Sequence, residues 1–186
     1  MSVRILRGLA IGACAMLGLA LIAPTAHAQA QKSGVRFGVE GALGTQHLGI
    51  GVGAFAKYHL ADISEHPITG RVAFDYYFPS SSNFGGFSTK YWELAADGLF
   101  DIATEKSDLK PYVGAGLTYG SWSYSYDNAY CGLYANLCNG STNSTNLHLV
   151  GGINFMGNSK LMPFAEVKLN TASGSSLIFK GGVHIK

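Results

Sequence analysis

From Val35 onward the chain alternates apolar and polar positions in short runs that break at Gly, Ser, Asn, Thr and Pro. Alternation with a period of two marks strands, whereas an apolar spacing of three to four residues would mark helices. The pattern predicts eight strands, over 35–44, 48–58, 69–78, 89–101, 110–121, 145–156, 161–170 and 176–186. Most are roughly ten residues long, the length that a tilted strand needs to cross a bilayer.

Sorting each strand by parity separates two chemically different faces. One carries Phe37, Val39, Leu43, Leu48, Ile50, Val52, Tyr58, Val72, Phe74, Phe78, Trp92, Leu94, Phe100, Val113, Leu117, Tyr119, Leu147, Leu149, Ile153, Val167, Leu169, Phe179 and Ile185, and no charge. The other carries Arg36, Glu40, Lys57, Arg71, Asp75, Glu93, Asp97, Asp101, Glu166, Lys168, Lys180 and His184. Two closed arrangements satisfy this division. A soluble barrel would turn the apolar face inward around an apolar ligand, and a membrane barrel would turn it outward.

Composition favours the second. Only 13% of residues are charged while 47% are hydrophobic, too little charge to cover a soluble surface. Small residues such as Gly49, Gly51, Gly53, Gly114 and Gly116 crowd the charged face, as a narrow interior holding long side chains requires. Aromatic residues recur near strand ends on the apolar face, at Tyr58, Phe78, Trp92, Phe100 and Tyr119, where an interfacial girdle would sit. The fold class expected is therefore all-β: an eight-stranded antiparallel up-and-down transmembrane β-barrel, acting as a monomer.

The first 28 residues have the features of an export signal. Arg4 and Arg7 precede an apolar run from Gly8 to Ala23, and Ala26-His27-Ala28 offers a small-x-small cleavage site. Residues 29–34 then form a short N-terminal segment before the barrel domain of 35–186. Without Arg4 and Arg7 the 13 bases fall to eleven, against 11 acids. A neutral chain without a basic run excludes nucleic acid as a natural partner. Cys14 leaves with the signal, and Cys131 and Cys138 remain in a chain destined for an oxidising compartment, where a disulfide closing a small loop is expected over two free thiols. With the N-terminus in the periplasm, links 59–68, 102–109 and 157–160 are periplasmic turns. Links 45–47, 79–88, 122–144 and 171–175 then face outward, the longest among them.

Lys110-Pro111-Tyr112-Val113-Gly114-Ala115-Gly116-Leu117 and the closing Lys180-Gly181-Gly182-Val183-His184-Ile185-Lys186 resemble strands of the small outer-membrane β-barrels of Gram-negative envelopes, the superfamily of OmpA-type, OmpX-type and opacity-type barrels. The resemblance spans roughly Gly34 to Lys186. It implies an outer-membrane location, surrounding outer-membrane lipid and insertion by the barrel-assembly machinery, and is silent on ligand; no cofactor is expected, and a structural or adhesive role is. The family's closing strand usually ends on an aromatic residue read by that machinery, whereas Lys186 stands here.

Five inward bases (Arg36, Lys57, Arg71, Lys168 and Lys180) face six inward acids (Glu40, Asp75, Glu93, Asp97, Asp101 and Glu166), an inventory suited to a self-paired plug because unpaired buried charge is costly. A narrow pore for small solutes is the alternative. Asp97 and Asp101 lie on one strand, as a cation site would need, yet like-charged neighbours more often share a base across the lumen. His148 invites comparison with barrel lipid A deacylases, but Leu149 and Val150 follow it where a nearby Ser would be needed, so it is expected to be a polar lumen-facing residue, and no other catalytic motif or metal-ligand spacing stands out. A non-enzymatic protein is expected. The candidate recognition surface is the 122–144 link, where Trp122, Tyr124, Tyr126, Tyr130 and Tyr134 lie among Ser, Gly and Asn. Tyr supplies rigid contact area and the small polar residues adaptable hydrogen bonds, a composition suited to an extracellular ligand.

Overall fold

The computed structural model describes residues 34–63, 66–79, 87–102, 104, 108–126, 139–156, 160–171 and 176–185. Their strands are β1 (Arg36–Gly44), β2 (Gly49–Ile63), β3 (His66–Phe78), β4 (Phe87–Asp101), β5 (Leu109–Tyr126), β6 (Asn139–Phe155), β7 (Leu161–Asn170) and β8 (Leu177–Ile185). Each pairs antiparallel with its sequence neighbour, and β1 also pairs with β8, so the sheet closes. Closure removes the open sheet edges that a bilayer does not tolerate.

Burial is inverted relative to a soluble protein. Ile50, Leu147 and Phe37 are 65%, 64% and 61% exposed, whereas Asp75 and Glu93 are fully buried. The apolar parity therefore faces outward and the charged parity inward. An inward apolar face around a ligand is not the arrangement of this chain.

Leu48 departs from the parity assignment. Sequence alternation sets it on the outward face, but it is buried at the top of the lumen. Gln46, His47 and Gly49 have φ of 53°, 72° and 72°, and this left-handed turn breaks the alternation between Leu43 and Ile50. Thr45 ties the turn to β8: its amide and hydroxyl donate to the Leu177 carbonyl at 2.9 and 3.1 Å, and its hydroxyl accepts from the Leu177 amide at 3.0 Å.

Two predicted links are shorter than expected. Much of 59–68 is strand, with a register shift between His59 and Ala61, because ladder pairing continues through Asp62↔Pro67 although polar residues erase the alternation. Both ends of the 122–144 link are strand as well: β5 runs to Tyr126 and β6 starts at Asn139, paired as far as Ser125↔Asn139. Trp122, Tyr124 and Tyr126 thus belong to a strand and not to a loop. Their Ser-Tyr alternation is a strand pattern without hydrophobic contrast.

Glycines set how close the walls come. A Cβ on Gly38, Gly51, Gly120 or Gly152 would collide with the ring of Phe55, Tyr77, Tyr91 or Tyr112 respectively. Bare backbone thus gives the inward rings room to lie flat across the neighbouring strand, which a narrow filled barrel needs.

Candidate functional site

The lumen is layered, and β4 shows the order from the upper end, where β5 runs into β6, to the lower end, where β1 begins. Its inward residues are Tyr91, Glu93, Ala95, Asp97, Leu99 and Asp101. At the top, Ala42, Leu48, Tyr77, Tyr91 and Ile178 form a buried apolar cluster against which Trp122 packs. The Tyr91 and Trp122 rings stand 4.5 Å apart and those of Tyr77 and Tyr91 5.4 Å apart. Together they form an aromatic lid.

Beneath the lid lies a first ion-pair layer. Lys168 Nζ donates to Glu93 Oε1 at 2.6 Å, and the Tyr77 and Tyr91 hydroxyls donate to the same carboxylate at 3.2 Å each. Lys180 Nζ bridges Glu40 and Asp75 at 2.7 and 2.5 Å, joining β8, β1 and β3. One oxygen of each of those two carboxylates lacks a hydrogen-bond partner.

A second layer centres on Arg71. Its Nε donates to Asp97 at 2.6 Å, and its two terminal nitrogens donate to the two oxygens of Glu166 at 2.6 and 3.0 Å. This bidentate geometry is the strongest form of the Arg–carboxylate pair. Tyr112 adds a hydrogen bond to Glu166 at 2.8 Å. On the other side, His148 Nε2 donates to Asp97 at 2.5 Å and its Nδ1 shares a 2.8 Å hydrogen bond with Thr118. Acid, imidazole and hydroxyl thus lie in line, the order used by hydrolytic triads. Here Thr118 and His148 are almost wholly buried beneath the lid, and Asp97 is engaged by Arg71, so the line serves as a wall-to-wall brace.

Lys57 is held differently. It is 3% exposed, has no carboxylate within 4 Å among the described residues, and sits over Phe55, Tyr112 and Phe164 at 5.1, 5.2 and 5.3 Å from the ring centroids. The negative faces of three rings stand where the charge inventory led one to expect a carboxylate. Arg36 and Asp101 stand half-buried at the lower mouth, also without an ion pair among the described residues.

No family model matches the chain, and no curated protein matches it. Solved structures do. Neisserial surface protein A superposes with a TM-score of 0.59 at 19% identity, over 82% of this chain and 95% of that one. The N-terminal β-barrel domain of Pseudomonas aeruginosa OprF follows at 0.57 and 14%, over 81% and 96%. Ail, the attachment invasion locus protein of Yersinia pestis, matches at 0.51 and 15%, over 82% and 97%. The fold is that of the small outer-membrane β-barrels.

Within this outer-membrane barrel fold, Glu40, Arg71, Asp75, Glu93, Asp97, Glu166, Lys168 and Lys180 meet in direct pairs, and Arg36, Lys57 and Asp101 do not. Asp97 and Asp101 do not converge on a cation, since Asp97 is turned to Arg71 and His148. Among the described residues no cluster of His, Cys, Asp and Glu has metal-binding geometry. Of the surface candidates, Trp122 is half-buried in the lid and Tyr124 is exposed. The side chain of Tyr126, together with Tyr130, Tyr134, Cys131 and Cys138, lies outside the described residues. Tyr77, Tyr91, Tyr112 and Thr118 escaped the charge inventory although they share the inward parity of Arg71, Glu93 and Lys110 on their strands, and counting hydroxyls alongside charges would have found them. His148 is buried in the lumen, as its reading as a polar lumen-facing residue expected.

Proposed function

We propose that the chain is an exported, monomeric outer-membrane barrel whose lumen is a structural plug and whose upper sheet is a contact surface for an extracellular ligand. The inverted burial carries this reading: exposed aliphatic and aromatic side chains surround a wall of paired charges, an arrangement suited to hydrocarbon outside. The N-terminus would lie in the periplasm after cleavage following Ala28.

Support for a plug comes from the direct pairs and the lid. An aqueous path along the axis would have to part Arg71 from Glu166 or Lys168 from Glu93, and breaking a buried pair costs about 3–5 kcal/mol. Support for a contact surface comes from the upper sheet. Pairing of β6 with β7 starts only at His148↔Asn170, whereas its pairing with β5 extends up to Asn139. Residues 139–146 therefore have one strand neighbour among the described residues, and they are Ser, Thr, Asn and Gly without a charge. Such an edge offers unpaired backbone groups to an extended strand of a partner.

Two experiments test the two halves. Planar bilayers with the refolded barrel are expected to stay electrically silent; stepwise conductance altered by Arg71→Met or Glu93→Gln would restore the narrow-pore reading. Replacing residues 123–141 with Asn-Gly, a turn that suits a two-residue hairpin between Trp122 and Thr142, removes the upper sheet. Loss of binding to host cells or matrix is expected, and unchanged binding by a correctly folded variant would sink the contact role.

A further inference from the structure

The lower end of the lumen is built unlike the rest. A cavity of about 80 Å³ opens there among Arg36, Lys57, Lys110, Asp101, Asn154 and His184. That volume exceeds several times the roughly 10–15 Å³ needed for one water. Three of these side chains are cationic and one is acidic. The register makes the excess sharper: Arg36 lies directly opposite Lys57, and Lys57 directly opposite Arg71, so three inward cations stand abreast on three adjacent strands. Like charges directly opposite one another destabilise a sheet.

Arg71 is relieved by Asp97 and Glu166. Its two neighbours are not. None of Arg36, Lys57 and Lys110 comes within 4 Å of Asp101 or of any other carboxylate among the described residues, whereas every ion pair of the layers above is closed to between 2.5 and 2.7 Å. The charges around the cavity are held apart with space between them. Lys57, 97% buried, lines that space while its ammonium is backed by three aromatic rings. Rings that hold an ammonium without neutralising it leave it able to donate to an anion. His184 lines the same space, with Nε2 donating to Asn154 Oδ1 at 3.2 Å and Nδ1 without a partner.

We propose that this cavity is a binding site for a small oxyanion, a phosphate or carboxylate group, entering from the lower end. Lys57 is its principal ligand and Arg36 and Lys110 complete it at the rim. A compact ammonium in a dry wall, flanked by a guanidinium, suits a group with two or three exposed oxygens, because charge-assisted hydrogen bonds to such oxygens are short and strong. Asp101 at the mouth would limit the site to small anions by repelling a second acidic group.

The test titrates the full barrel, refolded in an uncharged maltoside detergent at fixed ionic strength, with inorganic phosphate, with acetate and with chloride. Backbone NMR shifts of Gly38, Leu99 and Asn154 are followed. Saturable shifts with phosphate, with acetate or with both are expected, and the stronger of the two tells which kind of oxyanion the site prefers. Lys57→Met should weaken binding at least tenfold, and Arg36→Gln, at the half-exposed rim, should weaken it several-fold in case the buried change disturbs folding. Lys90→Gln, at an exposed cation far up β4, should leave it unchanged. Shifts that are linear, equal for chloride, or indifferent to both Lys57→Met and Arg36→Gln would overturn the site.

Discussion

Arg71 bridges Asp97 and Glu166 through three nitrogens, so its loss leaves two carboxylates buried without a cation. Arg71→Met is expected to destabilise the barrel by about 3–5 kcal/mol, read from urea unfolding in lipid vesicles by tryptophan fluorescence. Tyr77→Phe removes one of several donors to Glu93 and should cost only about 1 kcal/mol in the same assay. Lys57→Met should stay within about 2 kcal/mol of wild type, because the change removes cation–π contacts but also relieves the opposition of Arg36. A loss as large as that of Arg71→Met would mean that Lys57 belongs to the paired network after all. Gly116→Ala tests the tightness of the second layer, since a Cβ there would run into the Ala96 carbonyl, Asp97 and His148. It should unfold at lower urea than Gly98→Ala, where a Cβ meets nothing within 4 Å.

At the scale of strands, parity was legible wherever large apolar residues alternate with charge, and β7 is the clearest case, with its predicted bounds and its strict alternation of burial both present in the structure. It failed where contrast fades. The upper part of β5 alternates Ser with Trp or Tyr and that of β6 is Ser, Thr, Asn and Gly on both faces, so neither contrasts aliphatic with charged positions, and the ladder shows them to be strands. Parity also names which charges point inward without saying which of them meet, because partners such as Lys180 and Asp75, or Arg71 and Glu166, lie on strands that are not adjacent. The cage around Lys57 was hidden for the same reason, since its three rings come from β2, β5 and β7. The element-scale prediction concerns the upper hairpin. Because β4, β5 and β6 pair continuously below it, the Asn-Gly replacement of 123–141 should leave the heat-induced shift in gel mobility intact, and loss of that shift would show that the hairpin is needed for closure. Cys131→Ala with Cys138→Ala should likewise leave the thermal midpoint nearly unmoved, since a disulfide expected between them closes only a short local ring.

For the whole molecule, one closed sheet separates two solvents. Outward positions carry the apolar residues that lipid accepts, while the inside stacks a lid, two ion-pair layers and a cation-lined lower chamber. Paired side chains occupy the two middle layers, and the glycines let the lumen be narrow. Everything else argued about plug, chamber and contact surface depends on that orientation of the two faces. Its most direct test is fractionation followed by electrophoresis of the membrane sample with and without boiling. The account predicts that the protein stays with the outer membrane, requires detergent for extraction, and migrates as a compact band that shifts only on heating. A protein that remains in the aqueous fraction without detergent, with no shift on heating, would contradict it.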